Sequence, residues 1–171
     1  GEMLGAQGYI VCLGKVIGGG YTIGAYGRRK EIMELVAPLG GVYQAGTFSG
    51  NLASVTAGLR TLSLREEERP YPYLERLGAS LEEGLMERAG KAGVEAEVTR
   101  FGSMLSLSFR AVEGKEDGRA GDASPYSIFF HKMLDMGFYL PPSPSESWFL
   151  SSAHSEDDVA HLLEGSEKAF W

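Results

Sequence analysis

A lysine closes a run of apolar residues and three glycines follow close behind it: Ile10-Val11-Cys12-Leu13, then Gly14-Lys15-Val16-Ile17-Gly18-Gly19-Gly20. No other segment constrains the chain as much. The apolar run has the character of a buried strand in a parallel sheet, with Cys12 in its core. A lysine at the tip of such a strand is costly unless its amine is used. Desolvation lowers the pKa of an amine, and a neutral amine can condense with a carbonyl to form a Schiff base. The glycines allow a sharp turn and the close approach of a flat ligand. The pattern points to a lysine that carries pyridoxal phosphate, weighed against a solvated lysine beside a flexible turn.

Two other glycine-rich motifs fail. A phosphate-binding P-loop needs Ser or Thr after its lysine, whereas Val16 follows Lys15, and Gly8 stands one residue too far upstream. The dinucleotide signature Gly-x-Gly-x-x-Gly meets Ile23 where its third glycine belongs. Charge narrows the partners. With 16 basic against 23 acidic residues, the net charge of -7 argues against nucleic acid or an anionic membrane surface. The single cysteine excludes an internal disulfide and fits a reducing, cytoplasmic setting. No Cys/His spacing suggests a metal site, and nothing resembles a signal peptide or membrane span. The 171 residues, 43% of them apolar, suit one domain or a domain and a half. A candidate active-site lysine within fifteen residues of the start implies either a very small sheet or a piece of something larger.

Strand pattern occupies residues 10–14 and 23–26, and helix pattern runs from Arg29 to Val36, stopped by Pro38 and Gly40-Gly41. A polar, glycine-punctuated loop, residues 42–51, leads into a helix from about Asn51 to Arg65. The small residues Ala53, Ser54, Ala57 and Gly58 would let that helix pack closely on another element. The charge run Arg65-Glu66-Glu67-Glu68-Arg69-Pro70 reads as a solvated link, which places a domain boundary between residues 1–65 and 66–171. In the second part Leu74, Leu77, Leu81 and Leu85 make one apolar helix face. Leu105, Leu107 and Phe109 alternate with serines at strand period. Residues 113–123 read as an exposed loop. Pro125 opens a helix stopped by Gly137. Residues 138–140 and 148–150 read as short strands. Ser155 and Asp158 form a capping box for a last helix carrying Val159, Leu162, Leu163 and Phe170. The order helix, strand, helix, strand, strand, helix gives a small α+β domain.

Gly46-Thr47 stands just before a helix and offers a hydroxyl and backbone N–H groups to an anion, although Ser49 or Asn51 could simply cap that helix. Together with Lys15 the loop supplies both needs of pyridoxal phosphate, an amine for the aldehyde and donors for the phosphate.

The segments 14–20, 23–27 and 42–51 resemble the class III aminotransferases, fold type I pyridoxal-phosphate enzymes. Within them the chain is similar to the glutamate-1-semialdehyde 2,1-aminomutases, and the segments around Phe130-His131-Lys132-Met133-Leu134 and Ser143 to His154 agree. The resemblance implies an α/β fold: residues 1–65 as the remainder of a large cofactor-binding domain with a mostly parallel sheet, and 66–171 as a small C-terminal α+β domain. It implies Lys15 as the Schiff-base lysine and proton carrier. Gly46 and Thr47 would be phosphate ligands for the neighbouring subunit of a homodimer, and Glu146 a catalytic carboxylate. His154 would be a structural side chain fixing the turn before the last helix, while Ser49 and Asn51 cap theirs. The implied reaction is internal amino exchange, through pyridoxal and pyridoxamine phosphate, from (S)-4-amino-5-oxopentanoate to 5-aminolevulinate.

The chain departs from the family pattern at Leu52, where proline is usual, at Tyr21-Thr22, and in a shorter Gln7–Cys12 connection. The resemblance also implies an upstream half carrying the aspartate that pairs with the pyridine nitrogen, so these residues alone would be inactive or bind cofactor weakly. An aminotransferase acting on a β- or ω-amino acid, and a non-catalytic dimerisation piece, remain the alternatives.

Overall fold

Glycine and proline divide the early chain into short elements that cannot enclose a core. In the computed structural model, residues 5, 8–110 and 124–170 are described; the loop expected at 113–123 lies outside them. The chain forms two compact units, Gly1–Arg69 and Pro70–Trp171.

In the first unit, β1 (Ile10–Gly14) runs antiparallel to β2 (Gly24–Arg28), with Ile10 opposite Arg28 and Gly14 opposite Gly24. This corrects the reading of residues 10–14 as a buried parallel strand. The link between the strands, residues 15–23, is shorter than the dozen or so residues a parallel crossover requires. The pair is also exposed, Leu13 at 53% and Cys12 likewise open, so Cys12 is not core. The only parallel pairing among the described residues is the isolated bridge Val36–Val42. Helix α1 spans only Lys30–Met33 instead of reaching Val36. Pro38 disfavours helical backbone at Ala37, and Val36 turns to meet Val42. Helix α2 (Leu52–Glu68) is longer than the pattern suggests. The charge run is its last turn, with Arg60 paired to Glu67 at 3.1 Å, and it ends at the left-handed Arg69.

The second unit orders its elements as helix, strand, strand, helix, strand, helix: α3 (Tyr71–Ala92), β3 (Ala96–Phe101), β4 (Met104–Phe109), α4 (Pro125–Asp135), β5 (Trp148–Phe149) and α5 (Glu156–Ala169). The sheet runs β3-β4-β5, antiparallel throughout. Sequence pattern misses β3 because its inward row ends in a charge. Arg100 occupies that row and is held there by Glu82 at 2.6 Å and Glu75 at 2.7 Å, both on α3. Segment 138–140 is not a strand. β5 takes the place beside β4, while Phe138 turns onto α5 against His161, ring centroids 5.0 Å apart.

Every buried hydrophobic side chain among the described residues belongs to this second unit. Leu77, Leu81 and Leu85 of α3 meet Leu105 and Leu107 of β4, with the Phe129 and Phe170 rings tilted against each other, centroids 4.9 Å apart. The first unit instead presents Val16, Leu39, Tyr43, Phe48 and Leu52 to solvent.

Candidate active site

Lys15 sits where β1 breaks into a 3₁₀ turn, Lys15–Gly18. Its backbone is left-handed, φ 55°, a conformation that disfavours any residue with a Cβ. The surroundings impose it. Gly19 closes the turn by donating to the Val16 carbonyl at 3.1 Å. Gly18 is buried beneath Ile23, and a Cβ on it would lie 2.8 Å from Ile23 Cγ2.

The turn packs on α2, and the small residues of that helix make the seat. Gly58 meets the Ile17 carbonyl, and Gly19 comes against Ala57 and Thr61. Thr61 turns its own hydroxyl back onto the Ala57 carbonyl at 2.9 Å. The close packing expected for this small-residue stretch therefore has a specific object, the lysine turn. The side chain of Lys15 itself is exposed, so the desolvation expected at a strand tip is not provided by the described residues. Among them, no carboxylate or other acceptor pairs with its ammonium group.

Gly46 and Thr47 lie on the loop that leads into the same helix. Ser49 N–H donates to the Gly46 carbonyl at 2.9 Å, and Gln44 Nε2 donates to Ser49 Oγ at 3.4 Å. Asn51 alone is the cap, accepting from Ser54 N–H at 3.2 Å, so Ser49 braces the loop and does not cap. The N–H groups of Gly46 and Thr47 and the Thr47 hydroxyl make no hydrogen bond among the described residues. α2 is thus the common support of the lysine turn and of a loop with unused donors.

Glu146 belongs to the second unit, on the exposed loop 141–147. Its N–H donates to the Ser143 carbonyl at 3.1 Å, and Ser145 N–H donates to Ser143 Oγ at 3.2 Å. Beyond the loop, His154 shapes the turn before α5. Its Nδ1 accepts from Ser151 N–H at 3.0 Å, which leaves the proton of the neutral ring on Nε2, and its carbonyl accepts from Tyr73 at 2.7 Å. A cleft of about 450 Å³, lined mainly by apolar side chains such as Leu81, Phe138 and Trp148, borders both Pro141 and Ser147.

Sequence pattern does not single out Tyr126. This buried tyrosine donates to the Pro141 carbonyl at 2.7 Å and accepts from Trp148 Nε1 at 3.2 Å. Burial pushes its phenol pKa up, the Trp148 bond pulls it back, and the Glu146 charge raises it again. Buried Tyr and Trp need polar partners, which is the available signal, but the partner is a proline carbonyl that no pattern reveals.

The family profile described as aminotransferase class-III matches residues 2–154. A glutamate-1-semialdehyde 2,1-aminomutase of Persephonella marina is 46% identical over 99% of this chain, and one of Thermus thermophilus is 50% identical over 98%. The chain spans about two-fifths of each relative's length, 40% in both cases. Among solved structures, an omega-transaminase from Sphaerobacter thermophilus superposes with a TM-score of 0.84 at 25% identity, covering 99% of this chain and 40% of that one. A beta-phenylalanine aminotransferase from Variovorax paradoxus gives 0.79 at 28% identity, covering 98% and 39%. The chain belongs to the class III aminotransferase family, and its fold is that of the corresponding portion of these transaminases.

Proposed function

We propose that this chain forms the lysine-bearing part of a pyridoxal-phosphate-dependent aminomutase that moves an amino group within (S)-4-amino-5-oxopentanoate to give 5-aminolevulinate, a tetrapyrrole precursor. The observation that carries the reading is the Lys15 turn. It holds an ammonium group unpaired among the described residues, on a left-handed residue, seated on a small-residue helix face. The chain bearing it is 46% and 50% identical to two relatives named as aminomutases.

The residues fit the cofactor. Lys15 offers an unpaired amino group on a fixed turn, and Gly46 and Thr47 offer donors that nothing else among the described residues consumes. Pyridoxal phosphate supplies an aldehyde that exchanges with amines and a ring that accepts electrons. Lys15 would hold it through Nζ and carry protons to and from the reacting carbons. Gly46 and Thr47 would hold the phosphate belonging to the neighbouring subunit of a homodimer, so that two copies complete each site. Glu146 would bring a carboxylate to the reacting groups from its anchored loop. The substrate is a small molecule and the setting cytoplasmic.

The likeness to an omega-transaminase and a beta-phenylalanine aminotransferase favours a second reading, exchange between two substrates, one of them a β- or ω-amino acid. Glutamate 1-semialdehyde supplied alone to the purified full-length enzyme separates the two. Formation of 5-aminolevulinate with no added amino donor or acceptor supports the aminomutase. Turnover only after a second substrate is added supports the aminotransferase. Lys15→Ala abolishes turnover and the absorbance of the Schiff base between lysine and cofactor, and wild-type turnover in that variant removes the lysine from the mechanism.

A further inference from the structure

Loop 141–147, which carries Glu146, makes mostly local hydrogen bonds. Ser143 accepts from Ser145 and Glu146 within the loop, and Ser147 reaches Ser106 of β4 at 3.3 Å. One side chain bonds at both of its ends. Tyr126, on the first turn of α4 and 3% exposed, donates to Pro141 at the start and accepts from Trp148 just past the finish. Its ring is fixed by an edge contact with Phe109, centroids 6.3 Å apart, and the helix beneath it is capped by Ser124, which accepts from Ser127 N–H at 3.2 Å.

A phenol has one proton to give, and it is committed to Pro141; the indole donor takes up acceptor capacity on the same oxygen. The hydroxyl is therefore a two-ended clip, with Tyr126 and Trp148 both buried and Pro141 half-buried. We propose that Tyr126 is a positioning residue, whose hydroxyl fixes both ends of loop 141–147 and so sets where the Glu146 carboxylate stands. This rests on the reading of Glu146 as a carboxylate that acts on the reacting groups. Burial and the nearby Glu146 charge both hold Tyr126 in its neutral form, the form that can donate.

The test is a double-mutant cycle in the full-length enzyme with Tyr126→Phe, Glu146→Gln and their combination. Tyr126→Phe keeps the ring and removes the clip. It lowers kcat roughly ten- to a hundredfold, as expected when a mutation away from the reacting atoms misplaces a group by about an ångström, with KM changed far less. In the Glu146→Gln background the same substitution has little further effect, because it acts through a carboxylate already gone. In the cofactor-free protein, hydrogen exchange at the Glu146 amide is faster in Tyr126→Phe. If the two substitutions slow turnover independently, Tyr126 serves general stability and the proposal is overturned. If Glu146→Gln leaves kcat unchanged, the underlying reading of Glu146 fails and the proposal with it. Should Tyr126→Phe not fold, Trp148→Phe removes the indole donor, and its effect must vanish in the Glu146→Gln background in the same way.

Discussion

Gly58 lies directly against the carbonyl of Ile17, so that a methyl group on Gly58 would stand 2.9 Å from that oxygen and 3.3 Å from Ile23 Cδ1. Ala in place of Gly favours a helix by about 1 kcal/mol, but overpacking costs about 1–3 kcal/mol. The atom in the way is a backbone oxygen, which cannot swing aside as a side chain could. Gly58→Ala is therefore expected to push the lysine turn off α2. Cofactor occupancy, read from visible absorbance of the full-length enzyme, and turnover both fall. Wild-type absorbance and rate in this variant would show that the turn tolerates displacement.

The left-handed backbone at Lys15 separates its chemical role from its conformational strain. That region costs a residue with a Cβ about 1–2 kcal/mol and glycine almost nothing. Lys15→Ala and Lys15→Gly both abolish activity. In the cofactor-free protein, Lys15→Gly should be the more stable of the two in chemical denaturation of the full-length enzyme. Equal stabilities would mean that the turn relaxes out of the left-handed region once the lysine is gone.

Legibility in the sequence follows how local the causes are. The 3.6-residue stripe of α3, the Pro125 helix start and the Ser155 capping box depend on neighbours within a turn or two, and the structure contains all three. The pairing of β1 escapes the sequence because an apolar run does not say what covers it, and the brevity of the link to β2 is what decides its direction. β3 is hidden by Arg100, whose partners Glu75 and Glu82 come from a different element, the helix α3. At the site, the lysine among glycines is visible. Its seat on Gly58 and the Tyr126 clip are not, because each joins residues far apart in the chain.

Because the buried apolar side chains among the described residues all belong to Pro70–Trp171, core damage should register there. Phe129 is 1% exposed, and its ring packs at a tilt against both Phe109 and Phe170. Phe129→Ala should destabilise this unit by about 3–5 kcal/mol, the usual cost of deleting a buried aromatic ring. Residues 70–171 expressed alone should unfold cooperatively in denaturant, with the midpoint lowered by the substitution. Residues 1–69 alone should show no cooperative transition, since that unit presents its large apolar side chains to water. A sharp transition in the shorter piece would contradict this division.

Acid should weaken the start of α5 in a way that one serine controls. The Ser155 N–H donates to Asp158 Oδ2 at 2.8 Å and the Ser155 hydroxyl at 2.7 Å, and these bonds hold the Asp158 carboxyl below its usual range. In the unfolded chain that carboxyl titrates near its ordinary value, about 3.9. A group whose folded pKa is depressed contributes stability that is fully present above the unfolded value and is lost as pH falls through the folded one. The contribution should therefore be complete at pH 7 and fade below about pH 4. Ser155→Ala removes the hydroxyl that donates to Asp158 and accepts from Asp158 N–H, which brings the folded pKa back toward the unfolded value. Thermal unfolding midpoints followed from pH 7 to pH 3 should fall less steeply in Ser155→Ala than in the parent, and less steeply again in Asp158→Asn, which has no carboxyl to titrate. Both variants start lower at pH 7, where the intact capping box and the acidic first turn of Glu156, Asp157 and Asp158 favour the helix N-terminus. Three curves of equal slope would mean that the acid sensitivity of this unit arises from other carboxylates.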